Sequence, residues 1–143
     1  MHGQKIFSPT RLRRALASGL ALCLAAGATG ALAQGFGGGG YPQQTGEALY
    51  QGICQGCHMP DAKGAVGAGA YPALAENRKL AAKAYPELVV LRGQKAMPAF
   101  GPALTDAQVA AVVTYVRTHF GNSYADSVTA DDVKALRATL AGK

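Results

Sequence analysis

Cys54-Gln55-Gly56-Cys57-His58 is the stretch on which the reading of this 143-residue chain turns. Two thiols three positions apart can form thioethers to neighbouring vinyl groups of one porphyrin. The adjacent imidazole is then held where a ring nitrogen can reach the iron. The pattern is the attachment signature of a c-type haem. Two other chemistries use paired cysteines. A structural zinc site usually needs four ligands, and the chain offers only one further cysteine, Cys23. A thioredoxin-like dithiol needs a preceding strand and a helix N-terminus under its first thiol. Here the surroundings are helical and glycine-rich, and no strand-like run precedes the motif.

A low-spin haem with two protein ligands needs a second axial donor, and the chain has only three His and three Met. Met1 and His2 lie in the targeting segment described below. Met59 follows His58 directly and cannot swing to the opposite porphyrin face. Met97 and His119 remain. Met97 sits in Lys95-Ala96-Met97-Pro98-Ala99-Phe100-Gly101, an irregular segment after Gly93 that can place a long thioether against a flat ligand. Core gap-filling is its ordinary alternative. His119 lies near a helix end, where the dipole alone favours it. The residues favour Met97, with His119 or an open position as the alternatives.

Residues 1–33 read as a secretory signal peptide. Lys5, Arg11, Arg13 and Arg14 form a basic front, an apolar run follows from Ala15 to Ala28, and Ala31-Leu32-Ala33 is the expected cleavage site. The apolar run is shorter than the roughly 20 residues of a membrane span and is broken by glycines. Cleavage near Ala33 leaves no stable membrane anchor and a periplasmic protein. Cys23 raises a lipoprotein alternative, against which the bulky Leu22 counts. Removing those four basic residues from fourteen leaves ten Lys and Arg against eight Asp and Glu. Such a balance does not suggest a nucleic-acid surface, which normally needs clustered basic side chains.

Residues 34–44 are a flexible glycine-rich leader, because Gly37 to Gly40 offer no packing and a high ordering cost. A first helix is expected from Thr45, its N-cap, to about Cys54. A loop follows from Met59 to Gly69, then a short helix over Leu74–Lys83 and another over Pro86–Arg92, stopped by Gly93. The strongest helical pattern runs from Asp106 to Phe120. Thr105 and Gln108 make a capping box there, and Val109, Val112, Val113, Val116 and Phe120 form an apolar stripe. Residues 121–127 are a turn. Thr129 and Asp132 then cap a last short helix, whose Val133, Leu136 and Leu140 need a surface to cover. The main helical domain is thus assigned to residues 45–120 and a C-terminal extension to 121–143.

The stretch from Thr45 to Phe120 resembles a class I, cytochrome c-like monohaem domain. The likeness rests on the haem motif, Pro72 and Leu74 in the following loop, and Met97 before a terminal helix. It also rests on Gly46 and Tyr50 in the first helix, matched by Val112 and Tyr115 in the last. The resemblance implies an all-α fold whose N- and C-terminal helices cross around one covalently bound haem c. It also implies that the Pro72 carbonyl accepts the second imidazole N–H of His58. Leu74 and Phe100 would pack at the haem, and Tyr71 would either donate to a propionate or simply pack. Arg92 is a further propionate candidate, against a solvated default. A narrower resemblance joins Tyr71 to Asn77, Met97 to Phe100 and Val128 to Val133 with the small cytochrome subunits or domains of periplasmic alcohol- and aldehyde-type dehydrogenases.

The leading functional expectation is electron transfer, not enzymatic catalysis, between a redox protein donor and acceptor in the periplasm. The alternative is a tightly held cytochrome subunit of a periplasmic dehydrogenase. A ligand sensor or peroxidase-like enzyme needs an open sixth position, which Met97 argues against. The exposed haem edge is expected near Gln55, Gly56, Ala62, Ala96, Pro98 and Ala99.

Overall fold

A computed structural model of the chain describes residues 40–67 and 69–142. The expected signal peptide and cleavage site, Cys23 and the part of the expected leader before Gly40 lie outside the described residues. Four helical rods dominate the rest. The first is α1 (Gly46–Leu49), continued without a break by a π-helical segment (Tyr50–Cys54) and α2 (Gln55–His58). The others are α3 (Ala84–Arg92), α4 (Asp106–Thr118) and α5 (Ala130–Ala141). All-α is therefore corrected to mostly helical, because β1 (Ala65–Val66) and β2 (Ala70–Tyr71) pair antiparallel, Val66 opposite Ala70. This hairpin lies partly inside the expected loop. Its two-residue strands are too short to leave an alternating pattern.

The caps form as their chemistry requires. The Thr45 side chain accepts from the Ala48 N–H at 3.2 Å. Thr105 accepts from Gln108 N–H at 3.2 Å while Gln108 Oε1 accepts from Thr105 N–H at 2.9 Å, closing the box. Thr129 and Asp132 repeat the arrangement at α5. The apolar stripe of α4 fills the centre, with Val109, Val112, Val113 and Val116 buried beside Leu49, Tyr50 and Leu91. Each such side chain contributes about 1.5–3 kcal/mol through loss of water contact. Val133 of α5 is also buried, with Leu136 and Leu140 half-buried against the same core. The common core therefore supplies the surface that the α5 stripe needs.

The first rod and α4 cross where a side chain is missing. A Cβ on Gly46 would strike the Ala111 carbonyl and come within 2.6 Å of Tyr115 Cβ. Tyr50 packs one turn on, its ring centroid 5.8 Å from Tyr115 and 4.8 Å from Phe120.

Gly40–Gln44, assigned to the leader from its composition, is tied down. Gly40 N–H donates to the Ala103 carbonyl at 2.9 Å, and Gln108 Nε2 donates to the carbonyls of Tyr41 and Gln43, both at 2.8 Å. The helix expected over Leu74–Lys83 shrinks to a 3₁₀ turn, Arg78–Ala81. The cause lies far along the chain. The Glu76 N–H goes to the Phe120 carbonyl at 3.1 Å and the Asn77 N–H to the Asn122 side chain at 2.9 Å, while Glu76 itself turns to φ 49, so no helix starts before Asn77. The fully buried Arg117 then satisfies the Leu80 and Ala81 carbonyls at the end of the turn, at 2.8 and 3.1 Å. Its remaining donors go to Asp126, whose carboxylate lies at 2.6 Å and whose carbonyl it also engages.

Candidate haem-binding site

The first helix does not stop at Cys54, as its sequence suggests, but runs on to His58. Cys54, Cys57 and His58 occupy positions i, i+3 and i+4 of one helical run, and so share a face. The π-helical turn just before them has Gln55 N–H reaching back to the Tyr50 carbonyl. Such widened turns re-space the side chains that follow and recur at functional sites.

Both thiols are free, Cys54 half-buried and Cys57 exposed. Burial, reinforced by the neighbouring Cys57, pushes the Cys54 thiol up to about 11. A redox dithiol needs the opposite, a thiol pulled down by a helix N-terminus. Cys54 instead lies inside a continuous rod. Among the described residues no three His, Cys, Asp or Glu side chains converge, so the ligand set of a structural zinc site is not assembled there.

His58 is 8 % exposed, and its Nδ1 lies 2.9 Å from the Pro72 carbonyl oxygen. A carbonyl can only accept, so Nδ1 carries the proton and Nε2 presents a lone pair. This is the tautomer a metal-ligating imidazole uses, with its second nitrogen tied to a backbone acceptor. Several local features build the contact. Met59 turns into the left-handed region (φ 65), and its carbonyl accepts the Tyr50 hydroxyl at 2.7 Å. Gly64 N–H returns to the His58 carbonyl at 3.0 Å. Any Cβ on Gly64 would strike the Tyr71 carbonyl and lie 2.9 Å from the Pro72 carbonyl carbon, so only glycine lets Pro72 pass this close.

The remaining candidates sit on other elements. Leu74 and Phe100 are half-buried against the core, whereas Tyr71, on β2, is 42 % exposed. Met97 is half-buried in the α3–α4 connection. It exchanges backbone hydrogen bonds with Gln94, donating at 2.9 Å and accepting at 3.0 Å. Gly93 (φ 71) permits that turn, because a Cβ there would lie 2.8 Å from Ala99 N. Arg92 is exposed and lines a shallow cavity with Tyr85, Leu88, Val89 and Gln94. His119 is exposed, its ring stacked on Tyr115 at 4.1 Å and its Nδ1 2.9 Å from the Tyr115 carbonyl oxygen. The last turn of α4 thus already engages it. Of the expected exposed edge, Gly56, Ala96, Pro98 and Ala99 are exposed, but Gln55 is half-buried and Ala62 is completely buried. Ala62 is covered because its carbonyl accepts the Leu74 and Ala75 N–H groups at 2.8 and 2.9 Å, drawing that loop over it.

Asn122 escaped sequence reasoning. Its amide nitrogen donates to the carbonyls of Leu74 and Val116, both at 2.8 Å, while its oxygen accepts from Asn77 N–H at 2.9 Å. Its position just after a turn glycine is an ordinary setting for asparagine, and nothing local signals a partner in the Pro72 loop.

Two free thiols and an imidazole with one free nitrogen, on one helical face, fit a c-type haem. Together with the helix crossing at Gly46, they define a cytochrome c-type domain. The chain belongs to the family described as cytochrome c oxidase, cbb3-type, subunit III, whose model matches residues 42–116. It is 40 % identical over 108 residues to the fructose dehydrogenase cytochrome subunit of Gluconobacter japonicus, covering 65 % of this chain and 22 % of that one. It is 35 % identical over 112 residues to the gluconate 2-dehydrogenase cytochrome c subunit of Pantoea cypripedii, covering 68 % and 25 % respectively. The chain thus spans about a quarter of the length of the curated relatives it matches.

Proposed function

We propose that the chain carries one covalent haem c and serves as the cytochrome component of a periplasmic dehydrogenase. It takes electrons from a catalytic subunit and passes them towards the respiratory chain. Cys54 and Cys57 would hold the haem through thioethers, and His58 and Met97 would be the side chains that ligate its iron. When bound, the haem supplies a one-electron ferrous–ferric couple. Pro72 keeps the His58 ring oriented by accepting the hydrogen bond from its Nδ1–H. The Met97 thioether, a soft and weak donor, favours the ferrous form and a high potential. Leu74 and Phe100 exclude water at the pocket wall, and Tyr71 offers its hydroxyl to a propionate.

The observation that carries the electron-transfer reading is His58, with one nitrogen committed to Pro72 at 2.9 Å and the other free beside two free thiols. Likeness to two dehydrogenase cytochrome subunits supports a held subunit over the diffusing carrier that the sequence suggests first. Substrate chemistry then belongs to the partner, and this chain is not itself an enzyme. Among the described residues no helix is long and apolar enough to cross a membrane. The periplasmic setting rests on the signal sequence at residues 1–33.

Purification under native conditions from the source cells tests the partnership. The chain is expected to elute with a dehydrogenase whose sugar or sugar-acid substrate turns its haem band ferrous. Elution as a lone small carrier, without such activity, contradicts it.

A further inference from the structure

The C-terminal helix lies outside the family-matched stretch 42–116, yet one of its side chains reaches the segment that carries Met97. Arg137 is on α5, one turn after the buried Val133. Its Nη1 donates to the Gly101 carbonyl at 2.8 Å and its Nη2 to the Leu104 carbonyl at 3.1 Å. Its Nε donates to Asp106 Oδ1 at 2.8 Å. One planar guanidinium thus spans the turn from Gly101 to Leu104 and grips the first residue of α4. A lysine cannot reproduce that fork.

The position of the turn gives these contacts their consequence. The Met97 segment leaves α3 at Gly93 and is fastened again at Phe100 and Gly101, whose N–H groups return to Val90 at 2.9 Å and Leu91 at 3.2 Å. Gly101 is buried, and a Cβ there would lie 2.7 Å from the Leu91 carbonyl oxygen. Gly101 is therefore stitched through its nitrogen to α3 and through its oxygen to α5. No comparable bond holds Lys95 or Ala96 among the described residues. The Gln94–Met97 pair is internal to the segment, so the backbone bonds that fasten it to the rest of the molecule lie at its ends.

We propose that Arg137 is a positioning residue for the sixth ligand. By anchoring the downstream end of the Met97 segment, it sets how readily the thioether gives way to a competing ligand. The C-terminal helix is then an intramolecular brace. The inference rests on the reading of Met97 as the second axial donor.

Free imidazole, which competes for that position, is the probe. Its binding to ferric holoprotein is titrated by the loss of the weak sulfur-to-iron absorption at the red end of the spectrum. Arg137→Ala is expected to bind imidazole about tenfold more tightly, equivalent to ~1.4 kcal/mol. Arg137→Lys, which keeps the charge but not the fork, is expected to fall between that variant and the unaltered protein. Lys83→Ala breaks the other tether of α5, the 2.8 Å pair with Asp132, without touching the loop, and is expected to bind as the unaltered protein does. Arg137→Lys carries the test if Arg137→Ala yields no holoprotein. An Arg137→Lys curve that overlays the unaltered one, or an equal effect of Lys83→Ala, overturns the inference while Met97 ligation stands. Absence of the sulfur-to-iron band from the unaltered protein overturns the Met97 reading itself, and the brace falls with it.

Discussion

The amide nitrogen of Asn122 lies 2.8 Å from the Leu74 carbonyl oxygen, 48 positions earlier in the chain. The same group donates to the Val116 carbonyl near the end of α4, so the loop that presents Pro72 to His58 is laced to α4. The Glu76 N–H to Phe120 carbonyl bond, 3.1 Å, adds a second stitch. The Pro72 carbonyl that faces His58 Nδ1 thus sits in a loop held by a residue outside the haem motif.

Replacing Asn122 with Ala takes the partner from the buried Val116 carbonyl and from the half-buried Leu74 carbonyl and Asn77 N–H. A loss of about 1–3 kcal/mol is expected, measured by denaturant unfolding of the holoprotein. The potential should also shift as the Pro72 carbonyl loosens from His58. An unchanged denaturation midpoint and an unchanged potential would remove Asn122 from this role.

Gly46→Ala inserts a methyl group where Tyr115 Cβ is 2.6 Å away and the Ala111 backbone is in contact. Overpacking a crossing of this kind costs about 1–3 kcal/mol. Thermal melts of the two holoproteins should show the variant less stable. An equal or higher midpoint would mean that the rods separate without penalty.

Glu87 is 2 % exposed, and its Oε1 has no hydrogen-bond partner among the described residues. Burial, with some help from Asp132, raises its carboxyl above the ordinary range, against the weaker opposing pull of Lys83 and Arg117. A carboxyl raised in the folded state binds its proton more tightly there than in the unfolded chain. Its contribution to stability is therefore greatest at acid pH and falls as pH rises through the folded value. Glu87→Gln should stabilise the protein at neutral pH, with the advantage shrinking as acid protonates the native glutamate. Urea midpoints across pH read this directly, and a variant less stable at neutral pH contradicts it.

Met97→Ala should keep the haem attached, abolish the sulfur-to-ferric-iron absorption and lower the potential, because a soft donor to ferrous iron is lost. His119→Ala should leave both properties nearly unchanged, since that ring is held by Tyr115 at 4.1 Å and by its carbonyl. The reverse pattern would transfer the axial assignment to His119.

What could be read in advance was local chemistry. The capping boxes at Thr105 and Thr129 and the valine stripe of α4 declare themselves within a few residues. The crossing at Gly46 was reached through family resemblance, although its nearest neighbour, Ala111, was not named. What stayed hidden was decided by partners distant in sequence. Phe120 and Asn122 reduce an expected helix to the Arg78–Ala81 turn by taking the Glu76 and Asn77 N–H groups, the second across 45 positions. Gln108 does more than close its box, reaching back 65 and 67 positions to hold the chain before Thr45. Arg137 resembles any solvated helix arginine until the carbonyls of Gly101 and Leu104 are seen beneath it.

The intact mass of the exported protein after denaturation is the most direct test that Cys54-Gln55-Gly56-Cys57-His58 holds a c-type haem. The account predicts the mass of the polypeptide plus one haem, with neither thiol left to react with an alkylating reagent. A bare polypeptide with both Cys54 and Cys57 alkylated would contradict it.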